Sequence, residues 1–95
     1  LVVARTSLGT LNHTLLTLSA AKTFGLSIRG VLFNHAHVNE GTRAAMDRNI
    51  AAIQSVCHVP ILGVLQHRKG IETWSLQRLA DWFTREVDPS FLYKP

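Results

Sequence analysis

The residues of this chain that could do chemistry begin in a short turn between an apolar run and a helical pattern. Gly9 and Thr10 follow the apolar residues 1–4 and precede leucines at helical spacing. A strand that leads into a helix in this way exposes the helix N-terminus, where backbone N–H groups lack partners and the dipole is positive. The turn is therefore suited to bind a carboxylate or phosphate. The structural alternative is that Gly9 permits a tight turn and Thr10 caps the helix.

Two further polar groups follow the other apolar runs of the chain. Asn34 and His35 come directly after the second run, and Gln66, His67 and Arg68 come directly after the third. An Asn amide can both donate and accept hydrogen bonds, as a ligand contact requires. Asn also closes strands in Asx turns. Both interpretations of Asn34 stay open at this point.

The spacing of apolar residues predicts the elements that carry these groups. Short, nearly continuous apolar runs are typical of strands covered on both faces of a parallel sheet. These runs are residues 1–4, 28–33 and 59–65. Amphipathic spacing predicts helices over residues 10–24, 42–56 and 74–87, and Gly25 is placed to end the first of them.

The βαβαβα order predicts an α/β fold with a partial, doubly wound parallel sheet. Ligands bind at the carboxyl ends of strands in such sheets, so three loops should lie along one edge. These loops are residues 5–10, 34–41 and 66–73. The inward stripes predicted for the helices are Leu11, Leu15, Leu18 and Ala21, then Met46, Ile50, Ile53 and Val56, then Leu76, Leu79, Ala80 and Phe83.

Composition argues against several classes of protein. The chain has 95 residues, 46% of them hydrophobic and 17% charged, with no apolar run near the roughly 20 residues that a membrane span needs. The net charge of +4 is dispersed, without a basic stripe and stacking aromatics, so we expect neither nucleic acid nor membrane as a partner. The single cysteine, Cys57, fits a buried thiol in a reducing, cytoplasmic compartment.

Three segments of the chain read, in this order, Val-Val-Ala-Arg-Thr-Ser-Leu-Gly-Thr-Leu-Asn-His-Thr-Leu-Leu-Thr, Ile-Arg-Gly-Val-Leu-Phe-Asn and Val-Pro-Ile-Leu-Gly-Val-Leu. In sequence and in order they resemble the C-terminal half of dethiobiotin synthetases, which have a P-loop NTPase fold. The Leu-Gly-Thr-Leu-Asn-His block is the specific part, and the other two are shared more widely among P-loop enzymes. The resemblance covers nearly the whole chain.

The resemblance implies an enzyme that uses ATP and Mg²⁺ to join CO2 to 7,8-diaminononanoate, closing the ureido ring of dethiobiotin. It implies that the helix start at Gly9, Thr10, Leu11 and Asn12 binds the substrate carboxylate across a homodimer interface. This agrees with the independent expectation that a helix N-terminus favours an anion.

The resemblance also assigns the adenine contacts. It implies that Asn34 recognises adenine and that His35 flanks the base. Gln66, His67 and Arg68 stand where the family has a proline-containing loop that completes the pocket, which is a departure from the pattern. Glu72 corresponds to an acidic residue that contacts the nucleoside, or else it complements a helix dipole.

A second departure concerns the phosphates. The 95 residues contain neither a G-x-x-x-x-G-K-[ST] loop nor the carboxylates expected to hold Mg²⁺. We therefore expect an N-terminal half of the same domain to supply them, and we expect this segment alone to be inactive and to expose apolar surface. His35 and His37 lack a third ligand, so no metal site is predicted. The alternatives are a non-catalytic nucleotide-binding module of the same fold and a relative of the cobyrinate-amidating type.

Overall fold

A computed structural model describes residues 1–6, 9–35, 43–56 and 58–93 of the chain. Within them, strands and α-helices alternate in the predicted βαβαβα order. The elements are β1 (Val2–Arg5), α1 (Thr10–Thr23), β2 (Val31–Asn34), α2 (Arg43–Val56), β3 (Ile61–Leu65) and α3 (Leu76–Glu86), with short 3-10 helices at Ile71–Thr73 and Pro89–Leu92. Ser7, Leu8, His37, Thr42 and Cys57, and with them the predictions made for residues 36–41, lie outside the described residues.

The three strands form one parallel sheet in the order β1-β2-β3. Ala4 pairs with Phe33, and Phe33 pairs with Val64. Neighbouring side chains of β2 point to opposite faces of the sheet, as they do in any strand. Val31 and Phe33 belong to one apolar cluster and Leu32 to another. The predicted parallel sheet is confirmed.

Helices cover both faces of this sheet, which confirms the doubly wound arrangement. Leu18 of α1 and Ile53 of α2 pack with Phe33 on one face. On the other face Leu32 packs with Phe83 of α3 and with Val87, just after that helix. Val87 also forms an isolated antiparallel bridge with Gly63 of β3. Both faces of the central strand are therefore buried.

Several strands and helices begin at residues other than the predicted ones. β2 begins at Val31, not at residue 28, although Ile28 packs against the core without joining the strand. β3 begins after Pro60, which has no N–H to donate to a ladder. α3 begins at Leu76, not at residue 74, because the Ser75 hydroxyl accepts from the N–H of Arg78 and caps the helix there.

Two predicted inward stripes are partly wrong. Val56 of α2 is 60% exposed and Leu76 of α3 is 85% exposed. Trp82 is the buried residue of α3, and the ring of Trp74 meets it edge-on at 5.9 Å between centroids. The buried face of α3 is therefore the one that carries Trp82, and not the predicted one that includes Leu76. None of the described helices is both long and apolar enough to cross a membrane.

Candidate functional site

The three loops that follow the strands meet at one edge of the sheet, as predicted. Arg5 pairs with Asn34, and Asn34 pairs with Leu65, so the last residues of all three strands are neighbours. The N–H of His35 donates to the carbonyl of Leu65 at 2.8 Å. The described parts of the candidate loops therefore share the carboxyl edge, where ligands bind in such sheets.

The first loop leads into α1 through a glycine in the left-handed conformation. Gly9 has a φ of 88° and is the N-cap, with no side-chain cap bond. The first intrahelical bond runs from the N–H of His13 to the carbonyl of Gly9, at 3.1 Å. The N–H groups of Thr10, Leu11 and Asn12 therefore have no acceptor within the helix. No acidic residue lies in the first turn, so the positive end of the helix is not neutralised there.

Thr10 does not cap the helix with its side chain, which rules out that part of the structural alternative. It is the first helical residue, only 4% exposed, and its hydroxyl donates to the carbonyl of Arg5. Leu11 packs partly against the core, so its contribution to a ligand is its backbone N–H. Asn12 is exposed. The turn thus presents backbone donors and one amide side chain.

A groove of about 440 Å³ runs beside this turn, between β1 and the first two turns of α1. Its polar lining comes from side chains one helical turn apart. They are Thr10, His13, Thr14 and Thr17, with Arg5 at the end of the strand. Thr14 is buried, and its hydroxyl lies 3.4 Å from that of Thr10. Residues 1–4, in and just before β1, line the groove too, so the space next to the helix N-terminus has an apolar side and a polar side and is large enough for a small molecule.

The second loop places its two candidate residues differently. Asn34 is exposed at the end of the central strand, and its side chain makes no hydrogen bond with any of the described residues. An Asx turn would use the backbone N–H of residue 36, which lies outside the described residues, so both interpretations of Asn34 stay predictions. His35 is half-buried, and its Nδ1 lies 2.6 Å from the hydroxyl of Thr6. A ring beside adenine and a bond to Thr6 are compatible, because the bond uses one nitrogen in the ring plane.

The third loop differs in how far its candidate residues are buried. Gln66 and His67 are half-buried, whereas Arg68 and Glu72 are exposed. Nη2 of Arg68 lies 3.9 Å from a carboxylate oxygen of Glu86 in α3. Glu72 lies in a 3-10 helix of three residues, which is too short to have a substantial dipole. The structure brings Gln66 next to the carboxyl edge of the sheet but leaves Glu72 in solvent.

Comparison with known proteins shows the family to which the chain belongs. A family profile described as an AAA domain matches residues 1–74. The chain belongs to the AAA domain family. Similar proteins include the ATP-dependent dethiobiotin synthetases BioD of Anoxybacillus flavithermus, 34% identical over 83 residues, and of Bacillus velezensis, 32% identical over 82. The enzyme of the same name from Bacillus thuringiensis is 40% identical over 70 residues. These relatives confirm the resemblance seen in the three segments.

The coverage of these comparisons is unequal. The matches take in 87%, 84% and 74% of this AAA domain chain, but 36%, 34% and 28% of the three relatives. The chain thus spans about a third of the length of the curated relatives it matches. No solved structure matched it.

Sequence reasoning missed the buried polar residues behind the first loop of this AAA domain. Thr6 is 2% exposed, and its carbonyl accepts from the side-chain amide of Asn49 in α2 at 3.3 Å. Thr14 could have been found, because residues 10, 14, 18 and 21 share one face of α1. No comparable signal singles out Thr6 or Asn49, since their contacts join residues distant in the sequence.

The cofactors implied by the family fit the described residues only in part. The carboxamide of Asn34 suits the edge of adenine, which offers both a donor and an acceptor. Among the described ranges no three His, Cys, Asp or Glu side chains come together as metal ligands. This part of the protein therefore fits an adenine contact and does not fit a Mg²⁺ site.

Proposed function

We propose that the protein carrying this AAA domain is an ATP-dependent dethiobiotin synthetase. The reaction joins CO2 to 7,8-diaminononanoate and closes the ureido ring of dethiobiotin, with ATP supplying the phosphoryl group that activates the carbamate. The observation that carries the proposal is the glycine-led start of α1, which lies within residues 1–74 that the AAA domain profile matches. There the N–H groups of three successive residues have no acceptor within the helix, which is the arrangement that favours an anion.

The role proposed for this segment is binding. Gly9, Thr10, Leu11 and Asn12 hold the carboxylate of the diamino acid, with a dipole contribution of about 0.3–1 kcal/mol, rising to about 2 kcal/mol when partly buried. A second set, described above at the ends of β2 and β3, contacts the nucleoside. It comprises Asn34, His35, Gln66, His67, Arg68 and Glu72. The phosphate loop and the Mg²⁺ ligands are proposed to lie in the remainder of the domain, outside these 95 residues.

The activity is tested on the full-length natural protein. Purified enzyme supplied with the diamine, bicarbonate and Mg-ATP should form dethiobiotin, detected by mass spectrometry. If the diamine is inert and another carboxylate is consumed, the protein is a relative of the cobyrinate-amidating type. If ATP binds and no substrate is consumed, it is a nucleotide-binding module. Either result removes the proposal.

The nucleotide half of the site has its own test. Replacing Asn34 with Leu removes the exposed carboxamide and should raise the KM for ATP by about tenfold, which corresponds to about 1.4 kcal/mol. The KM for the diamine should stay near the wild-type value. Gln54→Leu, an exposed amide on α2, is the matched control. An unchanged KM for ATP in Asn34→Leu would remove Asn34 from the adenine site.

We also propose that the enzyme works as a cytoplasmic homodimer with the carboxylate site at the interface. The apolar side chains of Val3 and Leu16 are each about 60% exposed in this part of the protein, so either the remainder of the domain or a second subunit can cover them. Sedimentation velocity of the full-length protein should show a dimer. A monomer with full activity would contradict the shared site.

A further inference from the structure

Thr6 connects the end of β1 to two other parts of the fold. Its side chain is almost completely buried, and its hydroxyl lies 2.6 Å from Nδ1 of His35, just after β2. Its backbone carbonyl accepts from Nδ2 of Asn49 in α2, at 3.3 Å. The residue at the start of the first loop is therefore held both from the second loop and from the second helix.

Burying the Thr6 hydroxyl is unfavourable unless it is hydrogen-bonded, and His35 supplies such a partner. The contact therefore stabilises the buried position of Thr6. Either atom can donate in this bond, depending on which ring nitrogen carries the proton. The direction of the bond does not change its geometric effect. As long as it forms, Thr6 keeps one position relative to the end of β2.

The far end of the same turn is also held. The hydroxyl of Thr10 donates to the carbonyl of Arg5, directly before Thr6. Arg5 is therefore linked directly to the first residue of α1, and Thr6, the next residue along the chain, is held by His35 and Asn49. Displacing Thr6 would move the N-terminus of α1, and with it the backbone donors of Thr10 and Leu11.

We propose that His35 is a positioning residue for the substrate carboxylate. Acting through Thr6, it fixes the N-terminus of α1 in the orientation that receives the anion. This inference rests on the proposed function of that helix start, and it gives His35 a role besides flanking adenine. Because ligand sites need geometry held to a fraction of an ångström, losing this contact should weaken diamine binding although His35 itself does not touch the diamine.

The test is a double-mutant cycle in the full-length enzyme. Thr6→Val keeps the shape of the side chain and removes the hydroxyl, while His35→Leu removes the ring nitrogen. Each should raise the KM for the diamine by about fivefold, the change expected from one net hydrogen bond. The double variant should be no worse than either single one, because both remove the same contact. The effect of Thr6→Val on the KM for ATP should be below twofold.

A conservative variant separates positioning from simple loss of fold. His35→Asn keeps a polar atom near the place of Nδ1 and should restore the wild-type KM for the diamine. Two matched controls lie outside the site and should leave that KM unchanged. Thr23→Val removes a hydroxyl that donates to the carbonyl of Ser19, and His58→Leu removes an exposed ring before β3.

The outcomes distinguish this inference from the function on which it rests. If the wild-type enzyme makes no dethiobiotin, the proposed function is refuted. Hydrogen exchange then tests the inference separately: equal exchange rates of the Gly9 and Thr10 amides in Thr6→Val and in wild type would refute the inference as well. With an active wild type, an unchanged KM for the diamine in Thr6→Val and His35→Leu overturns the inference. A rise in the KM for ATP alone, confined to His35→Leu, also overturns it.

Discussion

Both ends of α1 have a glycine in the left-handed conformation, but the two ends differ in their hydrogen bonds. Gly9 precedes the helix with a φ of 88°, and Gly25 follows it with a φ of 71°. A Cβ added at either position would meet nothing within 4 Å. At the C-terminal end, Leu26 donates to the carbonyl of Ala21 at 2.8 Å and Gly25 to that of Lys22 at 3.0 Å. These two bonds form a Schellman motif, which satisfies the last carbonyls.

The N-terminal end has no such closure among the described residues. Gly9 turns the chain but offers no side chain to the first N–H groups of the helix, and no acidic residue follows it in the first turn. A glycine in the left-handed region therefore indicates a turn at both ends, and we propose a binding site only at the N-terminal one. The two ends differ in whether the backbone groups exposed by the turn have partners among the described residues.

The largest expected difference between the two ends is in ligand binding. Gly9→Asp places a carboxylate against that of the diamine and should raise its KM by about tenfold or more, equivalent to about 1.4 kcal/mol. Gly25→Asp, at the closed end, should leave the KM unchanged. The neutral control is Gly9→Asn, because Asn tolerates the same backbone conformation without the charge. Steady-state kinetics measure all three, and equal KM values for Gly9→Asp and Gly9→Asn would contradict the anion site.

Stability should not distinguish the two glycines. Gly9→Ala and Gly25→Ala each force a Cβ into the left-handed region and should lower the free energy of unfolding by about 1–2 kcal/mol. Denaturant unfolding of the full-length protein measures this change. A much larger loss for Gly9→Ala would mean that the first loop is strained for structural reasons, which would weaken the comparison between the two ends.

The order of elements and the shared loop edge could be predicted because they depend on local patterns. Continuous apolar runs identified β1, β2 and β3, and parallel connections then require their carboxyl ends to meet. Gly25 was recognisable as a helix end from its position alone. The boundaries were less accurate because an apolar run reports burial rather than strand pairing. Ile28 is partly buried against the core and still lies outside β2.

The contacts behind the site could not be predicted, because they join residues far apart in the sequence. Thr6 meets His35 and Asn49 across 29 and 43 positions, and no spacing rule connects such partners. The buried face of α3 was mispredicted for a related reason. Trp82 turns inward while Trp74, outside the helix, packs edge-on against its ring, and the guanidinium of Arg78 lies 4.0 Å from the Trp74 ring centre. Leucine spacing alone carries no information about such aromatic packing.

The smallest expected effect is an opposite change in stability and in substrate affinity at the N-terminal end of α1. Asn12 is exposed in the first turn of α1, and Lys22 already complements the dipole in the last turn. Asn12→Asp should therefore raise the free energy of unfolding by about 0.3–1 kcal/mol, while it raises the KM for the diamine through like-charge repulsion. Ser19→Asp adds the same charge to an exposed position in the second half of the helix, three residues before Lys22, and should leave the KM for the diamine unchanged.

Denaturant unfolding and steady-state kinetics on the same preparations measure both effects of Asn12→Asp. A stabilised variant with an unchanged KM would mean that the free N–H groups at the start of α1 serve the helix and not the substrate. A variant with no gain in stability would mean that another group already neutralises this end. Only opposite changes in stability and affinity agree with an open helix end that is kept without an acid because the substrate supplies the negative charge.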